Sequence, residues 1–100
     1  MKILLCCAAG MSTSLLVENM KKVAKERGFA AEIVAVAVHE FDEYIDQFDV
    51  VLLGPQIRYK LPSFKQAAAE KGKPCDVIDA AAYGMVNGAK VLDQAVSLRT

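Results

Sequence analysis

One hundred residues suffice for one hydrophobic core and not for two, so a single domain spanning residues 1–100 is expected. The chain is 54% apolar, much of it Ala and Val, which suits helices packed closely on a sheet. Its 12 basic and 12 acidic residues cancel, leaving no long-range field for nucleic acid or an anionic membrane, so neither is expected as a partner. No apolar run approaches the roughly 20 residues that cross a bilayer. The apolar stretch after Met1-Lys2 is also shorter than a secretory core of about 7–15 residues, so a cytoplasmic protein is expected. The three cysteines, Cys6, Cys7 and Cys75, are odd in number and lack zinc or disulfide-framework spacing; no metal or other cofactor is expected.

Taken in chain order, residues 2–7 form a short continuous apolar run ended by small residues and Gly10, the pattern of a strand covered on both faces. That strand delivers Cys7 to its C-terminal end, while Cys6 points to the opposite face. From Thr13 to Arg27, Leu16, Met20, Val23 and Ala24 recur at helical spacing, and Lys21, Lys22, Lys25 and Glu26 form a wet face. Gly28 stands where a left-handed helix cap is expected. Residues 31–38, rich in β-branched side chains, predict a second strand. Phe41, Tyr44, Ile45 and Phe48 predict a short helix with Asp42, Glu43 and Asp46 toward water.

Val50-Val51-Leu52-Leu53 predicts a third strand that ends abruptly at Gly54-Pro55. Gln56 to Lys60 reads as a polar-aromatic loop or first helical turn, and Pro62 suits the first turn of a helix through about Glu70. Lys71-Gly72 and Pro74 stop it. Cys75 to Asp79 predicts a short fourth strand whose polar Asp76 marks a sheet edge. A turn at Tyr83-Gly84 follows, then Asn87 as N-cap of a last helix with Ala89, Leu92, Ala95 and Val96 as its buried stripe. Strands alternating with helices imply right-handed crossovers and a parallel four-stranded sheet in the order 2-1-3-4. Ligands bind such sheets beyond the carboxyl ends of the strands at the switch point, where Cys7 and the 54–59 segment both fall.

The stretch Cys7-Ala8-Ala9-Gly10-Met11-Ser12-Thr13-Ser14 joins the first strand to the first helix. A thiol at a strand end, small residues whose N–H groups can converge, and a helix N-terminus make an anion site with a nucleophile inside it. The same donors favour the thiolate and then a phosphoryl group on its sulfur. Buried cysteines are ordinarily inert core residues, which is the reading for Cys6 and Cys75 inside their apolar strands; the position of Cys7 before Ala-Ala-Gly and a helix start favours chemistry. Gly10 serves the turn and the cradle at once. Met11 is either an adaptable partner contact or a core residue. Gln56, Arg58 and Tyr59 either decorate a solvated loop or border the site and a partner surface. His39 reads as structural or exposed.

Three segments resemble the B component of enzyme II (EIIB) of the sugar phosphotransferase system, lactose/cellobiose/chitobiose class. They are Cys7 through Leu16, Asp49 through Ile57, and Asp76-Val77-Ile78-Asp79 followed by Tyr83-Gly84. The resemblance implies a flavodoxin-like, three-layer fold with helices on both sheet faces and a phosphatase-like phosphate loop after the first strand. It also implies a protein-phosphohistidine–sugar phosphotransferase subunit. In that relay Cys7 is nucleophile and phosphocarrier: it takes a phosphoryl group from phosphohistidine on the A component (EIIA) and gives it to a sugar in the membrane-embedded C component (EIIC). Backbone amides of Ala8, Ala9, Gly10, Met11, Ser12, Thr13, Ser14 and Leu15 would form the cradle, with the Ser12, Thr13 and Ser14 hydroxyls as further donors. The sugar implied is a β-linked disaccharide or oligosaccharide, and the protein would sit at the membrane through EIIC.

The alternative is a low-molecular-weight cysteine phosphatase or arsenate reductase, whose loop has the same spacing. There an arginine stands where this chain has Thr13. Without a bidentate guanidinium the loop stabilises transition-state charge less, since charge-assisted hydrogen bonds are roughly twice as strong as neutral ones. Asp79 is the one acid expected near the rim, with no role assigned. No Gly-Lys-Ser/Thr nucleotide loop occurs.

Overall fold

A computed structural model describes residues 1–7 and 14–99. The first apolar run forms β1 (Lys2–Cys7), buried at every position after Lys2. It lies between β2 (Glu32–Ala37) and β3 (Val50–Leu53), parallel to both, with Cys7 opposite Ala37 and Cys6 opposite Leu53. The short β4 (Cys75–Val77) adds to the outer side of β3, which gives the expected order β2-β1-β3-β4. Asp76 does lie on an edge strand.

Alternation along β1 feeds two apolar layers. On one face Ile3, Leu5, Val50 and Leu52 pack with α1 (Ser14–Glu26) and with α5 (Gly88–Arg99). On the other, Leu4, Cys6, Val51 and Leu53 pack with Phe41, Ile45, Phe48, Ile57, Ala68 and Cys75. That second layer includes α2 (Phe41–Tyr44) and α3 (Leu61–Glu70), joined by the Phe41 and Phe64 rings stacked 4.5 Å apart. A helix-on-sheet arrangement on both faces is the flavodoxin-like architecture.

Several boundaries differ from the sequence reading. The 31–38 strand is shorter at both ends, and the single helix expected over 41–48 is α2 flanked by 3-10 turns at Val38–Glu40 and Ile45–Gln47. The Lys73 ammonium donates to the Ile45 and Asp46 carbonyls at 2.7 and 2.8 Å, so a cation from a distant loop closes this end. The fourth strand ends at Val77, two residues early, and the expected turn at Tyr83-Gly84 is the end of α4 (Ala80–Gly84). In α1 Val17 is buried and Val23 only half-buried.

The buried stripe of α5 is also rotated: Gly88, Val91, Leu92 and Ala95 are buried, whereas Ala89 and Val96 are half-buried. The cause is a close backbone approach. A Cβ on Gly88 would lie 2.6 Å from the Asn19 carbonyl carbon and 2.7 Å from the Met20 nitrogen, so α5 rests its first turn directly on α1. Asn19 Nδ2 donates to the Val86 carbonyl at 2.9 Å in the same corner. Val86 holds φ +52°, a left-handed conformation that a β-branched residue adopts only where its surroundings impose it. Asn87 is the N-cap as expected, its Oδ1 accepting the Lys90 N–H at 3.1 Å.

The crowding at Gly88 predicts that Gly88→Ala forces α5 away from α1 and costs about 1–3 kcal/mol, read as a lower urea midpoint. Gly84→Ala, with open space around its Cβ, should stay within about 0.5 kcal/mol of the parent.

Candidate functional site

The carboxyl ends of β1 and β3 meet where the chain leaves the sheet in opposite directions, and Cys7 is the last residue of β1. The residue is nearly enclosed, at 1% exposure. The expected loop residues Ala8, Ala9, Gly10, Met11, Ser12 and Thr13 lie outside the described residues. The far flank is described: Ser14 opens α1, and Leu15 in its first turn is 62% exposed.

Cys6, on the other face of the strand, sits in the apolar layer with Cys75. Burial, with the neighbouring Cys75 and Cys7 next in weight, pushes the Cys6 thiol up to about 12. Burial first, and the Asp76 carboxylate second, push Cys75 to about 12 as well. Both stay protonated at neutral pH and are poor nucleophiles, as the sequence reading holds.

Gly54 is what allows β3 to approach the thiol. Its N–H donates to the Cys6 carbonyl at 2.8 Å. A Cβ there would lie 3.3 Å from Cys7 Cβ and only 2.8 Å from Gln56 Oε1, so any side chain would occupy the space in which Cys7 and Gln56 converge. Pro55 then starts a 3-10 turn, Pro55–Lys60, anchored by buried Ile57. This turn sets Gln56 Oε1 at the edge of the space over Gly54 that Cys7 Cβ also borders. Arg58 and Tyr59 are exposed on the same turn; Tyr59 is 72% exposed, with Lys60 Nζ 5.6 Å over its ring. They belong to the surface beside the site.

Tyr83 is the site residue missed by sequence reasoning. Its hydroxyl accepts a hydrogen bond from Gln56 Nε2 at 3.2 Å, which ties the end of α4 to the turn after β3. The signal for α4 is present in the chain: Asp79 stands three residues before Ala82, and its Oδ2 accepts the Ala82 N–H at 2.9 Å as an N-cap. The same carboxylate lies 3.8 Å from the Lys90 ammonium. Asp79 is thus a structural cap. Its own N–H donates to Gln94 Oε1, and Gln94 Nε2 donates to the Val77 carbonyl, which fixes the β4 end against α5.

Among the described residues three large apolar side chains are strongly exposed: Leu15, Tyr59 and, at 77%, Met85. They follow β1, β3 and β4 respectively, so all belong to connections at the carboxyl edge of the sheet, the edge that holds Cys7. His39 is exposed in the turn after β2, away from any cluster of ligating groups among the described residues. The arrangement gathers the Cys7 thiol, the Gln56 carboxamide and a partly apolar rim at one edge of the sheet.

Residues 2–94 match the family described as PTS system, lactose/cellobiose-specific IIB subunit. The oligo-β-mannoside-specific EIIB component of Bacillus subtilis (strain 168) is 44% identical over 97 residues, covering 97% of this chain and 94% of that protein. The galactose-specific EIIB component of Lactococcus lactis subsp. cremoris (strain MG1363) is 44% identical over 101 residues, covering 96% and 94%. Among solved structures, the solution structure of a cellobiose-specific phosphotransferase IIB component from Borrelia burgdorferi superposes with a TM-score of 0.81 at 44% identity. It covers 98% of this chain and 90% of that one.

The raised thiols make a pH prediction. The native state keeps protons on Cys6 and Cys75 that the unfolded chain releases above its ordinary value of 9.0, so their contribution is complete below that pH. It is lost as pH rises toward about 12. Denaturant midpoints should therefore fall between roughly pH 8 and pH 11, and fall less in the Cys6→Ala/Cys75→Ala variant. Equal slopes in the two proteins would contradict this.

Proposed function

The chain belongs to the lactose/cellobiose-specific IIB family of the phosphotransferase system, whose members are sugar phosphotransferase components, and on that premise we propose that Cys7 is its phosphocarrier. The observation that carries the proposal is the location of Cys7 at the carboxyl end of an interior strand, beside a Gly54 whose lack of a side chain leaves space next to it. Cys6 is one residue away and is excluded by its burial on the opposite face.

The transfer is an exchange at phosphorus. The Cys7 thiolate attacks the phosphoryl group of a phosphohistidine on EIIA; the P–N bond breaks as the P–S bond forms, and the imidazole keeps the electron pair. In the second step a sugar hydroxyl held by EIIC attacks the same phosphorus. The P–S bond breaks, the thiolate returns, and the hydroxyl proton leaves to a base. Imidazole and thiolate are good leaving groups, so the chain needs to bind and orient the phosphoryl group more than to protonate anything. Amides of residues 8–15 and the hydroxyls of Ser12, Thr13 and Ser14 supply donors for that task.

Two features favour a carrier over the phosphatase or arsenate reductase alternative. Thr13 replaces the arginine that a phosphatase loop uses on the transition state. Asp79, the acid nearest in sequence to the rim, is committed to the α4 cap and to Lys90, so it does not stand ready to protonate a leaving group. The rim residues Leu15, Arg58, Tyr59 and Met85 offer EIIA and EIIC a mixed apolar and basic surface.

The substrate we assign is a β-linked disaccharide or oligosaccharide of the cellobiose, chitobiose or lactose type, met only through EIIC. Relatives named for oligo-β-mannoside, galactose and cellobiose stand at the same 44% identity, which fits a sugar choice made by the transporter. Among the described residues no helix is long and apolar enough to cross a membrane. The protein acts as one domain spanning 1–100, on the cytoplasmic side of the transporter.

Incubation with phosphoenolpyruvate, the general phosphotransferases and EIIA should place one phosphoryl group on Cys7, mapped by mass spectrometry, and none on Cys7→Ser. Uptake of the same label by Cys7→Ser would overturn the assignment. Steady turnover of an aryl phosphate without any partner would favour the phosphatase.

A further inference from the structure

Gln56 has two ends of opposite hydrogen-bonding character, and only one of them suits a phosphorylated site. Its Nε2 donates to the Tyr83 hydroxyl, and its Oε1 is directed to the space over Gly54 that Cys7 also borders. The distances of 2.8 and 3.3 Å from one point in that space set Oε1 and Cys7 Cβ no farther apart than their sum. A carbonyl oxygen there is compatible with a thiol, which can donate to it. Against the oxygens of a phosphoryl group it is acceptor facing acceptor, an unfavourable contact.

We propose that Gln56 and Tyr83 form a hydrogen-bonded pair that responds to the state of Cys7: the carboxamide presents its carbonyl to the thiol and turns over to present its NH2 to a phosphoryl group on the sulfur. The terminal torsion of a glutamine is broad and close to two-fold, so turning the amide over meets little resistance. Tyr83 suits both arrangements because a hydroxyl accepts as well as donates. It accepts from the NH2 in the resting state and donates to the carbonyl oxygen after the turn. Phenylalanine would do neither.

The helix that carries Tyr83 is held independently of Gln56. Asp79 caps the first turn of α4, and just beyond the end of α4 the Val86 carbonyl is tied to Asn19 on α1. Gln56 hangs from a turn pinned by buried Ile57. The two residues are 27 positions apart in the chain and converge only through the β3-β4 neighbourhood of the sheet. Tyr83 is accordingly a positioning residue that acts through Gln56, and Gln56 is the group that would touch the phosphoryl oxygens. Gln56 is solvent-exposed, so the effects are modest.

The inference rests on Cys7 being the phosphocarrier, and the test separates the two. In protein labelled on its side-chain amides, the Gln56 NH2 resonances should shift when the wild type is phosphorylated by the EIIA phosphohistidine donor. Tyr83→Phe should slow phosphoryl uptake roughly fivefold, the worth of about one hydrogen bond, with an unchanged thermal midpoint. Gln56→Glu, an acceptor at both ends and negatively charged, should slow it further. If Cys7 is phosphorylated and the Gln56 resonances stay in place, or if Tyr83→Phe is taken up at the wild-type rate, this inference fails and the carrier reading stands. If the wild type takes no label on Cys7, both fail.

Discussion

The register of β1 is the constraint on which the site depends. Two adjacent cysteines end this strand, and a slip of one residue would set Cys6 at the strand end in place of Cys7 and turn every side chain of the strand to the other face. Hydrophobicity alone does not prevent the slip, because Ile3, Leu4, Leu5 and Cys6 suit either face. Polar contacts at the two ends hold the strand in place. At the start, the Lys2 N–H donates to Asp49 Oδ2 at 2.7 Å and the Asp49 N–H returns to the Lys2 carbonyl at 2.8 Å. At the far end, the Gly54 N–H closes on the Cys6 carbonyl. Between them the ladders to β2 and β3 fix every step.

With that register set, the chemistry divides by face. The layer under α2 and α3 takes Cys6 and Cys75, and low polarity there keeps both thiols protonated and inert. Cys7 is left at the carboxyl edge, opposite Ala37 of β2 and beside Gly54. Gly54 keeps β3 from filling that space, and the turn after it brings in a carboxamide. Asp79, the acid expected near the rim, is engaged in the α4 cap. A carrier and a hydrolase can share one fold and differ in what surrounds the same sulfur.

Much of the architecture was legible because the chain is strongly punctuated. Gly54-Pro55 ends a four-residue apolar run and Gly28 ends an amphipathic helix, its φ of +65° being the left-handed cap conformation. The misses have local causes. α4 spans five residues, too short to display a helical period, and owes its existence to Asp79 and the packing of Ala82. The α5 stripe is turned by the contact of Gly88 with the α1 backbone, which no period within α5 encodes. Val86 adopts a left-handed conformation contrary to its propensity because that corner is held by Asn19 and α5.

For this protein, then, the sequence by itself determined the alternation of strands with helices, the sheet order and the candidacy of Cys7, since these follow from apolar runs, breakers and a thiol before a helix start. It also singled out Gln56, with Arg58 and Tyr59, as either a solvated loop residue or a residue of the rim, without distinguishing among the three. Only the tertiary structure decided that Gln56 and Cys7 converge over Gly54 and that Tyr83 holds the Gln56 carboxamide. Those are relations between segments up to 49 positions apart, from Cys7 to Gln56. A sheet creates them by setting strand ends side by side, and residue patterns within one segment carry no record of which neighbour that will be.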